Sequence, residues 1–213
     1  MDEIKVMEKP EWISWDDIRE LILAAHKKNI AKGMTMRTTQ ESGEELQKRL
    51  GKDGKCYVAL CGDKLVGTTS VCFQKGHSWY DKGQLVAHSM LSAILPKYQG
   101  LGITDDLNQL RDAYIREKGV KMIHADTAEN NKIVRINAKR NGFVEVAYFA
   151  PITDHYSVIF VKWFDGCPYS ESYVQKKLKW SEKLTKLRFK PGKIERSVFL
   201  TLFCKVVKRI LAV

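Results

Sequence analysis

Cysteine is scarce in this sequence, with five in 213 residues and no Cys-x-x-Cys among them. That excludes a disulfide framework and a zinc site of the usual spacing. Cys56, Cys61 and Cys72 fall inside apparent strands, where reduced, buried thiols are the expected state and a cytoplasmic compartment the expected setting. No apolar run reaches the ~18–20 residues that span a bilayer. The start, Met1-Asp2-Glu3-Ile4-Lys5, has no apolar stretch of the kind that makes a signal peptide. Nor does any Gly-Lys-Ser/Thr follow a glycine turn, so a nucleotide P-loop is excluded. The third glycine of a dinucleotide fingerprint is missing too, because Asp105 stands where it would be. Internal repeats are absent, and no base-reading module accompanies the net charge of +11, so nucleic acid is not an expected partner.

What is present describes an ordinary folded chain: 44% hydrophobic and 29% charged residues, a size that suits one domain with an appendage. The charge is uneven. From Lys162 onward thirteen Lys/Arg face four Asp/Glu, a surplus of +9, which leaves +2 for the first 161 residues. The neutral body and basic tail point to an acidic surface as the tail's partner.

Residues 4–8 form a short candidate strand. Ser14 to Asp17 reads as a capping box before Ile18, Leu21, Ile22 and Ala25 at helical spacing. A polar loop with His26, Met34 and Met36 leads to a second helix after Ser42 that stops at Gly51. Lys55–Cys61 and Leu65–Phe73 read as a hairpin about Gly62-Asp63. A strand from Leu85 to Leu95, a helix to Lys118, a strand from Val120 to Thr127, a helix from Asn131, and strands 143–150 and 156–163 complete the pattern. Strands and helices alternate as in an α/β (α+β) domain with a mixed, twisted sheet.

The chain is organised around Ser92 to Thr104: an apolar run, Pro96, then Gln99-Gly100-Leu101-Gly102-Ile103-Thr104 opening a helix with apolar Ile103, Leu107, Leu110 and Ile115. A strand that turns through glycine into a helix leaves backbone N–H groups unpaired at the positive end of the helix dipole, where they attract phosphate. A tight turn with no ligand uses the same residues, so both readings stand at this point.

The segment Gln99–Thr104 resembles the pyrophosphate-binding motif of the GNAT acetyltransferase superfamily, Gln/Arg-x-x-Gly-x-Gly/Ala, with Thr104 as the one departure. Downstream, Asn131 to Gly142-Phe143 resembles the family's Asn-started helix that ends in Gly-Phe. The resemblance covers residues 1–163 and implies a largely antiparallel sheet flanked by helices, with 164–213 a basic C-terminal extension. It implies acetyl-CoA as co-substrate and an amine as acceptor, with N-acetyltransferase activity. Ile94 and Leu95 would offer backbone groups to the thioester. Gln99, Gly100, Leu101, Gly102, Ile103 and Thr104 would hold the diphosphate, and Asn131 and Asn137 would lie along the cofactor. His88, on the strand before the turn, suits a base near neutral pH, and no carboxylate occurs between Leu85 and Leu95. His124 and Asp126 share a strand face and read either as a relay or as a structural pair. Where many members carry a thiolate-protonating tyrosine this chain has Ala138, so Tyr148 or water is left for that step. The rival reading is a non-catalytic acyl-CoA-binding or membrane-associated protein in which Ala138 marks a lost activity.

Beyond Trp163 the resemblance ends. Ser170 to Leu187 reads as a helix with Tyr173, Trp180, Leu184 and Leu187 at helical intervals. On a helix, 197–213 places Thr201, Lys205, Lys208 and Arg209 on one side of an otherwise apolar surface. Residues 170–213 thus fit either peripheral membrane contact at the inner face or a helix packed on the body or across a homodimer.

Overall fold

A computed structural model of the chain describes residues 3–31, 37–149 and 156–188. Met34, Met36 and the basic apolar segment 197–213 lie outside them. The chain divides into two compact units, Met1–Phe73 with Ala87–Val120, and Gln74–Val86 with Lys121–Val213. Together they carry the mixed α/β complement of seven strands and five helices among the described residues, with mostly antiparallel pairing.

In the first unit, β1 (Ile4–Glu8), β2 (Lys55–Cys61) and most of β3 (Lys64–Lys75) and β4 (Leu85–Ile94) lie side by side in that order. Cys61 pairs with Lys64 across the two-residue turn Gly62-Asp63, as the hairpin reading expects. Helix α1 (Trp15–Ile30) starts at the capping box: Ser14 Oγ accepts from the Asp17 N–H at 3.0 Å, and Asp17 accepts from the Ser14 N–H at 2.7 Å. Helix α2 (Gly43–Leu50) repeats the device with Ser42 and Glu45. Ile18, Ile22, Leu46 and Leu50 from these helices meet Val58, Leu60, Leu91 and Ala93 in one core, each Ile, Leu or Val side chain contributing about 1.5–3 kcal/mol. Helix α3 (Ile103–Glu117) lies on the opposite sheet face, where a side chain at Gly67 would meet Ala59, Ile94 and Ile103. Ile103, Leu107 and Ile115 are buried as expected, while Leu110 is only half-buried.

The second unit holds β5 (Met122–Ala128), β6 (Val144–Phe149) and β7 (Ser157–Trp163) in the order β5-β7-β6, all antiparallel. Helix α4 (Lys132–Arg140) starts at Asn131, and α5 (Glu171–Arg188) starts at Ser170, whose hydroxyl accepts from the Tyr173 N–H. Trp79, Tyr80, Met122, Val146, Val161 and Val174 form its core.

The buried face of α5 is not the one that carries Tyr173, Trp180 and Leu187. Val174, Leu178 and Thr185 are buried, whereas Tyr173 and Trp180 are largely exposed and Leu187 more so. The reason lies in β6, the outermost strand of its set. Its open edge at Tyr148 is closed by side chains: the Tyr148 N–H donates to Ser181 Oγ at 3.0 Å, and Thr185 Oγ1 donates to the Tyr148 carbonyl at 3.1 Å. Polar residues at the right depth selected the docking face over the more apolar stripe. Among the described residues no helix is long and apolar enough to cross a membrane.

Candidate active site

The site is built where β4 runs into α3, all within the first unit. Leu91 sits in the interior of β4 with φ +54, a left-handed conformation that costs a non-glycine residue about 1–2 kcal/mol. Met90 and Leu91, consecutive in sequence, both pack on the same core, which a regular strand forbids. Together these mark a bulge. Just past it Ser92 is exposed between buried Leu91 and Ala93, and its hydroxyl lies 2.8 Å from that of Thr69.

Beyond β4 the Leu95 N–H donates to the Val66 carbonyl at 2.9 Å, and the Ile94 carbonyl accepts from Gln99 Nε2 at 3.1 Å. This corrects one expectation. Leu95 has no amide to offer a thioester, because the chain is still paired with β3 as it leaves β4. Gln99 acts first as a brace that ties the loop back to the strand end.

A one-turn helix at Pro96–Tyr98 then delivers the chain to the glycines. Gly100 and Gly102 have φ +82 and +81, which an L side chain rarely adopts. An added Cβ at either would meet nothing within 4 Å, so the requirement is conformational and the space over both is open. Gly102 caps α3 without a side chain, and its carbonyl takes the N–H groups of Asp105 and Asp106 at 2.8 and 3.2 Å. The N–H groups of Gly100, Leu101, Gly102, Ile103 and Thr104 have no acceptor among the described residues. Five amides without an acceptor at the positive end of a four-turn helix, with open space over Gly100 and Gly102, suit an anion.

His88 is half-buried on β4, three residues before the bulge. Its neighbour Ser89 accepts from Arg111 Nη1 at 3.0 Å. Arg111 is 3% exposed and holds Asp112 Oδ1 through Nε and Nη2 at 3.1 and 2.8 Å. Burial pulls the guanidinium below its ordinary range, and the Asp112 carboxylate opposes that. Neither residue figured among the candidates. The signal was the spacing Ile103–Leu107–Arg111, which carries a charge along the buried face of α3 and so fixes β4 from that side.

Asn131, Asn137 and Tyr148 belong to the second unit. Asn131 caps α4, accepting from the Val134 N–H at 3.4 Å, and donates to Thr127 Oγ1 at 3.3 Å. Asn137 is exposed. Burial raises the Tyr148 phenol above its ordinary value, and nearby Arg135 forks onto Glu145 at 2.8 and 3.0 Å. His124 is buried and meets Tyr80 edge-to-face with the ring centroids 5.1 Å apart, and Asp126 is exposed. Among the described residues, no group of three or more His, Cys, Asp or Glu side chains could hold a metal ion.

A family model for the acetyltransferase (GNAT) family matches residues 15–143, more than half the chain. The chain belongs to the GNAT acetyltransferase family. A comparison with curated proteins finds no match. Solved GNAT structures share the fold. An acetyltransferase of the GNAT family from Staphylococcus aureus Mu50 superposes with a TM-score of 0.61 at 16% identity, over 76% of this chain and 99% of that one. PaiA N-acetyltransferase from Thermoplasma acidophilum, in complex with coenzyme A, gives 0.55 at 17% identity over 76% and 99%. A GNAT acetyltransferase from Elizabethkingia anophelis with acetyl-CoA bound gives 0.54 at 14% identity, again over 76% and 99%. At these identities the likeness speaks for the fold, and the chemistry has to come from this chain's own residues.

Proposed function

We propose that this GNAT protein moves the acetyl group of acetyl-CoA onto a primary amine. The observation that carries the reading is the run of five amides from Gly100 to Thr104 with no acceptor among the described residues, beside open space at Gly100 and Gly102. A diphosphate matches those amides in charge and in its need for donors. The family and the coenzyme A-bound relatives support coenzyme A as its source.

With the diphosphate seated at the α3 start, the thioester lies along the bulged end of β4, where a backbone amide polarises its carbonyl. Holding amine and thioester together supplies much of the rate. The nitrogen attacks the carbonyl carbon, the adduct collapses, and the C–S bond breaks with its electron pair on sulfur. His88 takes the proton the nitrogen sheds in the collapse. The thiolate, whose thiol pKa is ~8–9, leaves readily and takes a proton from solvent.

The test is calorimetric titration with acetyl-CoA, followed by thiol release on adding an amine panel. Saturable binding with turnover is the expected result. Absence of binding overturns the reading, and binding without turnover on any amine favours the non-catalytic alternative. The surplus of +9 from Lys162 onward supports an acceptor presented at an anionic membrane face. Flotation with anionic liposomes should recover the full chain and lose the chain lacking 164–213; equal recovery contradicts that part.

A further inference from the structure

Once Val174, Leu178 and Thr185 have docked α5, the helix keeps a second stripe that stays exposed. Tyr173, Trp180 and Leu187 recur every seven residues, so they line up about a third of a turn round from the buried side chains. They are 39%, 41% and 71% exposed. Lys176, Lys179 and Lys183 stand exposed beside them. Both acids of the helix, Glu171 and Glu182, fall on the opposite side, where Glu182 Oε1 takes Lys186 Nζ at 3.0 Å. The sorting leaves the outward face aromatic, apolar and purely basic.

The stripe is anchored at its start. Tyr173 stacks on Tyr169 with ring centroids 5.6 Å apart and meets Trp79 edge-on at 5.5 Å. Lys177 Nζ lies 5.5 Å from the Tyr173 centroid, and Lys82 Nζ lies 5.4 Å from that of Tyr169. Two more ammonium groups therefore sit on the same aromatic platform.

We propose that this outward face of α5 is the surface that seats on an anionic lipid bilayer. Trp180 and Leu187 enter the headgroup boundary, and the lysines meet the lipid phosphates and carboxylates. The proposal rests on the membrane part of the preceding reading and assigns it to α5 in place of 197–213. Charge decides the occupant. A second copy of the chain would set lysine against lysine along the stripe, and 197–213, with Lys205, Lys208 and Arg209, would do the same. A nucleic acid would satisfy the lysines but give no use to Leu187, the most exposed side chain of the stripe. An anionic bilayer takes both the charge and the apolar surface.

The experiment floats the full chain with vesicles of phosphatidylcholine, with and without phosphatidylserine. Wild type should rise with the anionic vesicles and stay behind with the neutral ones. Lys176→Gln, Lys179→Gln and Lys183→Gln combined should weaken partitioning about a hundredfold, since each lysine near an anionic leaflet contributes about a fivefold factor. Trp180→Ser with Leu187→Ser leaves the charge alone and should weaken it about tenfold. The substituted side chains are exposed, so both variants should unfold at the wild-type temperature and bind acetyl-CoA as wild type does. Lys205→Gln, Lys208→Gln and Arg209→Gln combined should lose less than either α5 variant. A greater loss there, or α5 variants within threefold of wild type, overturns the assignment while the membrane reading stands. Wild type that ignores both vesicles brings down the membrane reading and the assignment together. Tighter binding to a single-stranded oligonucleotide than to anionic vesicles overturns the assignment in favour of nucleic acid.

Discussion

Two helices in this chain follow a strand through a short turn, and their first turns are finished in opposite ways. Helix α4 begins at Asn131, whose side chain caps the Val134 N–H and is steadied by Thr127. Helix α3 begins at Gly102, which has no side chain to cap anything, and five consecutive amides stay unpaired. Ser14, Ser42 and Ser170 close the other three helix starts with hydroxyls. A cap contributes about 1 kcal/mol, so its omission at α3 alone gives up stability that the chain gains elsewhere. Stability forgone at one end of one helix, beside a strained bulge at Leu91, is the pattern expected where a ligand supplies the missing partners.

The contrast can be broken most forcefully at Gly102. Gly102→Val puts a β-branched side chain at φ +81. It should weaken acetyl-CoA binding about a hundredfold, or about 2.8 kcal/mol, as read by calorimetry. Retained affinity would mean that the turn's shape does not matter. The converse change is Ser42→Ala, which uncaps α2. Thermal unfolding should report a loss of about 1 kcal/mol while acetyl-CoA affinity stays put. A parallel loss of affinity would erase the distinction between capped and open helix starts.

In the second unit, Ser181→Ala removes the acceptor of the Tyr148 N–H and should destabilise by about 0.5–1 kcal/mol in denaturant. No change would mean that α5 docks through Val174 and Leu178 alone. The smallest effect is a pH dependence at Glu145. Burial pushes its carboxyl up, but the Arg135 fork and the Lys139 charge outweigh that, so the net shift is below the ordinary 4.5. A depressed folded value stabilises above 4.5 and loses that contribution as pH falls through the folded value. Glu145→Gln should therefore be less stable than wild type at pH 6 to 7, with the gap closing below 4.5. A gap that persists at pH 3 would place its origin in packing.

The features legible beforehand were those whose residues have a single strong preference. Gly100 and Gly102 announced a glycine turn from strand to helix, Ser14 and Asp17 a helix start, and Ile103, Leu107 and Ile115 a buried stripe. The bulge was not legible, because leucine has no bias toward φ +54 and only the packing of Met90 and Leu91 on one core forces it. Arg111 was passed over because a charged residue in a helix reads as solvent-facing until its partners Ser89 and Asp112 come into view. The docking of α5 eluded the apolar pattern since its deciding contacts are Ser181 and Thr185 on a strand edge.

The central claim is that the amides from Gly100 to Thr104 hold a diphosphate, and amide NMR shifts read it directly. Titration with coenzyme A should move the Gly100, Gly102, Ile103 and Thr104 signals strongly and saturably, whereas pantetheine, which lacks the diphosphate, should leave them nearly in place. Signals that stay unmoved at saturating coenzyme A, or that respond equally to pantetheine, would contradict the account.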